Sequence, residues 1–319
     1  MSGSKVVITG GRGFIGVNLF DKLAKSNEVL VFDSLKRSSP TGWNGTDNDI
    51  LIADLADTEL LNQSFTGRDG AIHLAAYGSV IESIADPLTN FSANAVGVLN
   101  ALIAARDNSV KKFIFASTGG ALIGNATPPV NEESLPKPIS PYGASKHCGE
   151  TYCHAFSESY GISTVCLRFG NVYGPHSAHK KGAVTLFIKA LIKDEPIIIY
   201  GDGSASRDYI FVDDLCDGIT AAMESKTSGA EVFHLATGIE TTIHELALLL
   251  CDIAGKKNHP IVFKDARKGE VNRNCADFTK AKQQLGFEPK WYIQDGLKQT
   301  WEWFTSLSDE ELNTQTSDS

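Results

Sequence analysis

At 319 residues, 42% of them hydrophobic and 21% charged, the chain can form one large or two moderate domains with a sizeable core, and its composition is ordinary for a globular protein. Thirty-eight acidic against 29 basic side chains give a net charge of −9, which argues against a nucleic-acid partner, because phosphate backbones demand basic patches. No stretch approaches about 18 uncharged apolar residues, Met1-Ser2-Gly3-Ser4 runs into a strand without a signal pattern, and the six cysteines lack paired metal-ligand spacing; the sequence predicts a cytoplasmic protein with no membrane partner, no metal and reduced core thiols.

The first element, Lys5-Val6-Val7-Ile8-Thr9, reads as a short buried strand running into Gly10-Gly11-Arg12-Gly13-Phe14-Ile15-Gly16, a strand, glycine turn and helix. Glycines at 10, 13 and 16 let the backbone turn sharply and approach a pyrophosphate, while the helix that opens at Phe14 and Ile15 offers free N–H groups to its oxygens. A second strand ends at Asp33, 17 residues after Gly16, as expected of an acid that bonds a cofactor ribose and repels a 2′-phosphate, so the cofactor is read as NAD. Lys36 and Arg37 pull the other way, toward NADP. Further apolar runs near 50–53, 71–75, 112–117 and 164–168 alternate with amphipathic stretches, the pattern of an α/β doubly wound parallel sheet, or Rossmann fold. Ligands of such sheets sit beyond the carboxyl ends of the strands, where Asp54 and Leu55 suit an adenine contact and Leu74, Ala75 and Ala76 give clearance beside the cofactor.

Asp86 caps a predicted helix from Pro87 to about Arg106, with Leu88, Phe91, Ala95, Leu99 and Leu102 on one apolar face, read as core or dimer contact. The strand Lys112–Ala116 ends in Ser117-Thr118-Gly119-Gly120, whose hydroxyls lie 25 and 24 residues before Tyr142. Ser140 as N-cap, Pro141 at the first position and Gly161 as stop predict a helix that carries Tyr142 and Lys146 on one face. A phenol loses its proton near pH 10, so acid–base work near neutrality needs a neighbouring cation such as Lys146 and a hydroxyl that can shuttle the proton. A Tyr with a Lys four residues on is common by chance; the glycine turn and the hydroxyl-bearing strand end, in this order, decide for chemistry.

With these motifs the chain resembles the extended short-chain dehydrogenase/reductase family, within it the NAD-dependent nucleotide-sugar epimerases and dehydratases, over about residues 5 to 304. Three later stretches carry the resemblance: Arg168-Phe169-Gly170-Asn171-Val172-Tyr173-Gly174-Pro175, Tyr200-Gly201-Asp202-Gly203-Ser204-Ala205-Ser206-Arg207-Asp208-Tyr209-Ile210, and Arg267-Lys268-Gly269-Glu270. The resemblance implies Thr118, Tyr142 and Lys146 as the catalytic set, with Ser117 as second choice for the hydroxyl and otherwise a substrate contact. It implies that Asn171, Arg207 and Arg267 hold the diphosphate of a UDP-linked sugar, with Tyr200 near the uracil and Glu270 and Asn274 completing the substrate set; arginine forks match phosphate oxygens. Residues 1–170, with returns to the sheet at about 208–240 (Asp208–Asp217 and Glu231–Thr237), would bind NAD. Residues 171–207 and 241–304 would form a smaller, interleaved substrate lobe, and the polar tail 305–319 would fray. A homodimer through the helices at 87–106 and 141–160 is expected by analogy.

The leading expectation is a 4-epimerase working through a transient 4-keto sugar. A 4,6-dehydratase needs a further acid and base, and the dehydratases that this chain resembles carry Asp-Glu after the catalytic Thr, where Gly119 and Gly120 stand here. A one-way reductase and a regulatory NAD-binding protein are the remaining readings. Asn274 falls where some relatives have a bulky aromatic, which leaves room for an N-acetyl group. Ile123 replaces a tyrosine common in relatives, and His176, His179, Lys180 and Lys181 read as a solvated basic loop ahead of an acidic-sugar contact.

Overall fold

In β1 (Lys5–Thr9) successive side chains point to opposite faces, yet Val6, Val7 and Ile8 are all buried, so the sheet that β1 enters must be covered on both sides. The protein, seen in a computed structural model that describes residues 3–39, 41–266 and 271–313, has that sheet at its centre. β2 (Glu28–Asp33), β3 (Ile50–Ile52), β4 (Gly70–His73), β5 (Lys112–Thr118) and β6 (Ser163–Phe169) fall within two residues of the bounds read from sequence. After them come β7 (Asn171–Tyr173), β8 (Ile197–Tyr200), β9 (Ser206–Phe211), β10 (Ala230–Leu235), β11 (Glu240–Thr242) and β12 (Ile261–Lys264). The large sheet runs β10-β6-β5-β4-β1-β2-β3, and every pairing in it is parallel. Val6, Ile8, Phe20 and Phe233 belong to the core on one face; Val7, Phe65, Phe113 and Phe115 belong to the core on the other. Each such side chain contributes about 1.5–3 kcal/mol by leaving water. Strand order reverses between β1 and β4, and a crevice opens there beyond their carboxyl ends.

The small lobe has its own core of Phe187, Ile188, Leu191, Leu246 and Leu250, between the Ala183–Lys193 and Ile243–Ile253 helices. Its sheets are β11-β9-β7 and β12-β8. Of the two segments expected to return to the large sheet, one does: β10 pairs with β6. Asp208 instead lies in β9 of the small sheet, and Val212–Glu224 is a helix that packs on the Phe14–Leu23 helix. The reason is Asp208 itself, whose buried carboxylate accepts from Thr237 N, Thr237 Oγ1 and Gly238 N, fastening β9 to the loop after β10.

One further expectation is corrected. The apolar face read along the helix from Pro87 does not stay on one side: Leu88 and Phe91 are 77% and 54% exposed, whereas Ala95 and Leu102 are buried. Between Pro87–Phe91 and Gly97–Asp107 a π-helical turn, Ser92–Val96, adds a residue to the winding and rotates the stripe. The Pro87–Asp107 run has the length and mean hydropathy (1.3) of a membrane span, but half of it is buried against the sheet and neighbouring helices. Of the tail expected to fray, 314–319 lies outside the described residues, and before it Asp309–Asn313 is a helix, opened by Ser308 Oγ accepting from Glu311 N at 3.3 Å and anchored by the buried Leu312.

Candidate active site

A cleft of about 1380 Å³ runs from the β1–β4 crevice to the small lobe. Its floor is the glycine turn. Gly10 has φ +73°, and a Cβ there would lie 2.5 Å from Ala75 N, so the turn and the end of β4 close together only with glycine at this place. Gly13, Phe14, Ile15 and Gly16 continue along the wall into the helix N-terminus, and no side chain caps that terminus, which leaves its N–H groups for a ligand's phosphates. Asp33 ends β2 in the cleft, its carboxylate accepting from Arg12 N at 2.9 Å and Leu35 N at 2.8 Å. Burial raises its pKa, against the lowering by these N–H groups. Asp54, Leu55, Leu74, Ala75 and Ala76 line the same stretch. Lys36 is tied to Asp54 at 3.1 Å, and Arg37 pairs with Glu82 at 2.6 Å while stacking on Tyr77, so neither cation stands free beside Asp33 for a 2′-phosphate. The cradle and the carboxylate fit a dinucleotide with an unphosphorylated ribose.

The Pro141–Tyr160 helix forms as its sequence dictates: Ser140 Oγ accepts from Gly143 N at 3.2 Å, Pro141 opens it and Gly161, at φ 74°, ends it. Gly149 lets it press on the sheet, since a Cβ there would lie 2.4 Å from the Phe115 ring. The Thr118 hydroxyl, at the end of β5, faces the Tyr142 phenol and favours its ionisation, but burial outweighs this and pushes the pKa up to about 12. Lys146, one turn on along the same helix, donates from Nζ to Ala116 O at 2.7 Å, and burial lowers its own pKa to about 8. Lys146 lies beneath the lining and Tyr142 within it. Ser117 also borders the cleft, but its hydroxyl donates to Glu150 at 2.6 Å.

Asn171, Tyr200, Arg207 and Asn274 line the small-lobe end of the cleft, Asn274 Nδ2 lying 3.4 Å from Asn171 Oδ1. Arg207 Nη1 is braced on the carbonyls of Ser206 and Asn272 at 2.8 and 3.3 Å. Arg267 and Glu270 lie outside the described residues. Ile123 is buried with Leu122 and Val130, off the cleft. The basic segment is split: Lys180 and Lys181 are exposed, as expected, while His176 and His179 are half-buried. His176 packs edge-on against Trp303, and His179, Lys180 and Lys181 border the cleft, Lys181 pairing with Glu82 at 2.9 Å across it. Burial pushes His179 down to about 3, so it is neutral.

Sequence reasoning missed Asn94 and Glu150. Asn94, buried in the π turn, takes Tyr77 N at 2.8 Å on Oδ1 and gives to Ser145 Oγ at 3.0 Å, joining the loop after β4 to the Tyr-Lys helix. An asparagine in the middle of an apolar helical stripe was the available signal.

Residues 6–236 match the NAD dependent epimerase/dehydratase family. The chain belongs to that family. A curated relative in this family, UDP-glucose 4-epimerase of Mycolicibacterium smegmatis, is 33% identical over 315 residues, 95% of this chain and 99% of the relative. Among solved structures, a UDP-glucose 4-epimerase with UDP-glucose from Thermotoga maritima superposes with a TM-score of 0.88 at 37% identity, covering 94% of this chain and 98% of that one. A UDP-N-acetylglucosamine 4-epimerase from Methanobrevibacter ruminantium, in complex with UDP-N-acetylmuramic acid, gives 0.90 at 33% identity, covering 96% and 99%. Membership makes NAD the cofactor, and the cradle and Asp33 are built for it.

Proposed function

We propose that the protein is an NAD-dependent nucleotide-sugar 4-epimerase acting on a UDP-hexose or UDP-N-acetylhexosamine through a transient 4-keto sugar. The observation that carries this reading is the contact of Thr118 with Tyr142 over Lys146, next to two glycines where a dehydratase needs an acid and a base. A Cβ on Gly120 would lie 2.6 Å from the Asn274 amide, so an acid side chain at 120 would have to displace that amide. Bound in this cradle, NAD would supply the hydride acceptor and donor for the sugar carbon. Tyr142 Oη takes the proton of the sugar O4 and gives it back; Thr118 donates to the phenolate, and the Lys146 ammonium beneath adds positive potential. Asn171 and Arg207, with Arg267 as expected from sequence, hold the diphosphate, and Tyr200 faces the base. Asn274 leaves room at C2 for an N-acetyl group. In this reading residues up to about 170, with β10, serve the cofactor, and the small lobe serves the sugar nucleotide.

The same proposal includes a homodimer, supported by Leu88, Phe91 and Tyr152, at 77%, 54% and 38% exposure on the two helices concerned. A cytoplasmic location is supported by six cysteines that are all free. The test is incubation of the purified protein with UDP-N-acetylglucosamine and with UDP-glucose, without added cofactor, following anomeric signals by NMR. The galacto product is expected from both; no product from either, even with NAD added, would overturn the reading.

A further inference from the structure

Beneath the Thr118-Tyr142 contact lies a closed polar set that the epimerase reading does not use. Glu150 stands one turn beyond Lys146 on the same helix face. Its Oε1 accepts from Ser117 Oγ at 2.6 Å and Arg168 Nε at 2.9 Å, and its Oε2 from Arg168 Nη2 at 2.8 Å. Ser117 and Arg168 are paired neighbours on β5 and β6, so one carboxylate fastens the helix to two strands. The side chains of Arg168 and Glu150 are 4% and 7% exposed. An ion pair this deep is seldom retained for stability, since apolar replacements are often as stable, and its place under the reacting groups calls for another explanation.

We propose that Glu150 is the positioning residue of this site: it holds the Ser117 hydroxyl away from the reaction, leaves Thr118 to Tyr142, and is the counter-charge of Lys146. The surroundings of Lys146 support the last part. Its own helix presents Tyr142, Glu150 and the Cys153 thiol; β4 presents His73, which burial holds neutral with a pKa of about 3; β5 presents the Phe115 ring, 4.9 Å from Nζ, and the Ala116 carbonyl; β6 reaches it only through Glu150 and Cys153, which face Arg168 and Cys166. Burial lowers the lysine, and Cys153 and then Glu150 oppose it; among these described groups Glu150 is the carboxylate. Loss of that charge should let the ammonium deprotonate at lower pH, and turnover that needs the cation should fail at lower pH with it.

The inference rests on the catalytic reading of Tyr142 and Lys146, and the test separates the two. In the NAD-bound protein with 13Cε-labelled lysine, the Lys146 resonance is assigned by its loss in Lys146→Arg and titrated in wild type, Glu150→Gln and Glu150→Asp. The midpoint, which burial sets below the ordinary lysine value, should fall further, by about one unit, in Glu150→Gln and return toward wild type in Glu150→Asp, with the alkaline limb of kcat moving in parallel. An unchanged midpoint in Glu150→Gln overturns the proposal whether or not the wild type turns over sugar. Should Glu150→Gln fail to fold, Ser117→Ala, which keeps the ion pair, decides: kcat and KM near wild type support a hydroxyl held out of the reaction, and kcat about tenfold lower or more at unchanged KM overturns it. Absence of epimerisation in wild type, with the midpoint shift intact, overturns the reaction and not the placement of Glu150.

Discussion

Charge lies both beneath the base of the cleft and at its mouth, and it is used differently in the two places. Beneath the base, Glu150 and Arg168 are under a tenth exposed and meet in a bidentate pair; at the mouth, Arg37, Glu82 and Lys181 are 34%, 32% and 54% exposed and pair across the cleft by single contacts. In the interior a charge keeps its full field and any loss of a partner is costly; near water the same contact is worth well under about 1 kcal/mol and salt screens it. Chemistry therefore belongs at the base, where protonation states are held, and the mouth is suited to guiding entry of an anionic nucleotide.

Substitutions sharpen this contrast, beginning at the base. Tyr142→Phe should leave NAD bound and slow turnover by about a hundredfold or more, the usual scale for a lost acid–base group; retention of near-normal kcat in a steady-state assay would remove the phenol from its role. Asn274→Tyr, between base and mouth, should suppress UDP-N-acetylhexosamine relative to UDP-hexose by about tenfold, because the ring takes the space beside Gly120 and Asn171. Equal losses in kcat/KM for both sugars would show that this side chain does not gate C2. Ser140→Ala removes the cap of the Tyr-Lys helix and should cost about 1 kcal/mol in denaturant unfolding, with little effect on KM. Smallest of all, Glu82→Gln should change KM less than about threefold, and the difference should vanish at high salt; a large, salt-insensitive effect would mean that the mouth behaves like the base.

Local signals were legible wherever one residue's chemistry was enough. The six early strands, the glycine turn, Asp33 and the helix with its Ser140, Pro141 and Gly161 signals could be read because apolar periodicity, φ > 0 and capping are properties of short segments. The face of the Pro87–Asp107 run was misread because one π turn, stabilised by the contacts of Asn94 with other elements, displaces every later side chain around the axis. Asp208 was read as part of a motif, yet what it does depends on the N–H groups of a loop nearly thirty residues later, a contact that no local pattern reports.

The sequence by itself determined a doubly wound parallel sheet, an NAD cradle, and a phenol, a lysine and two candidate hydroxyls near one strand end, because these follow from backbone geometry and from spacing along single elements. Only the tertiary structure decided which hydroxyl meets Tyr142, that Lys146 turns to Ala116 O, and that Glu150 closes the base. These outcomes depend on which face of β5 the helix covers and on how burial shifts each group's charge, and both arise only when distant segments pack together.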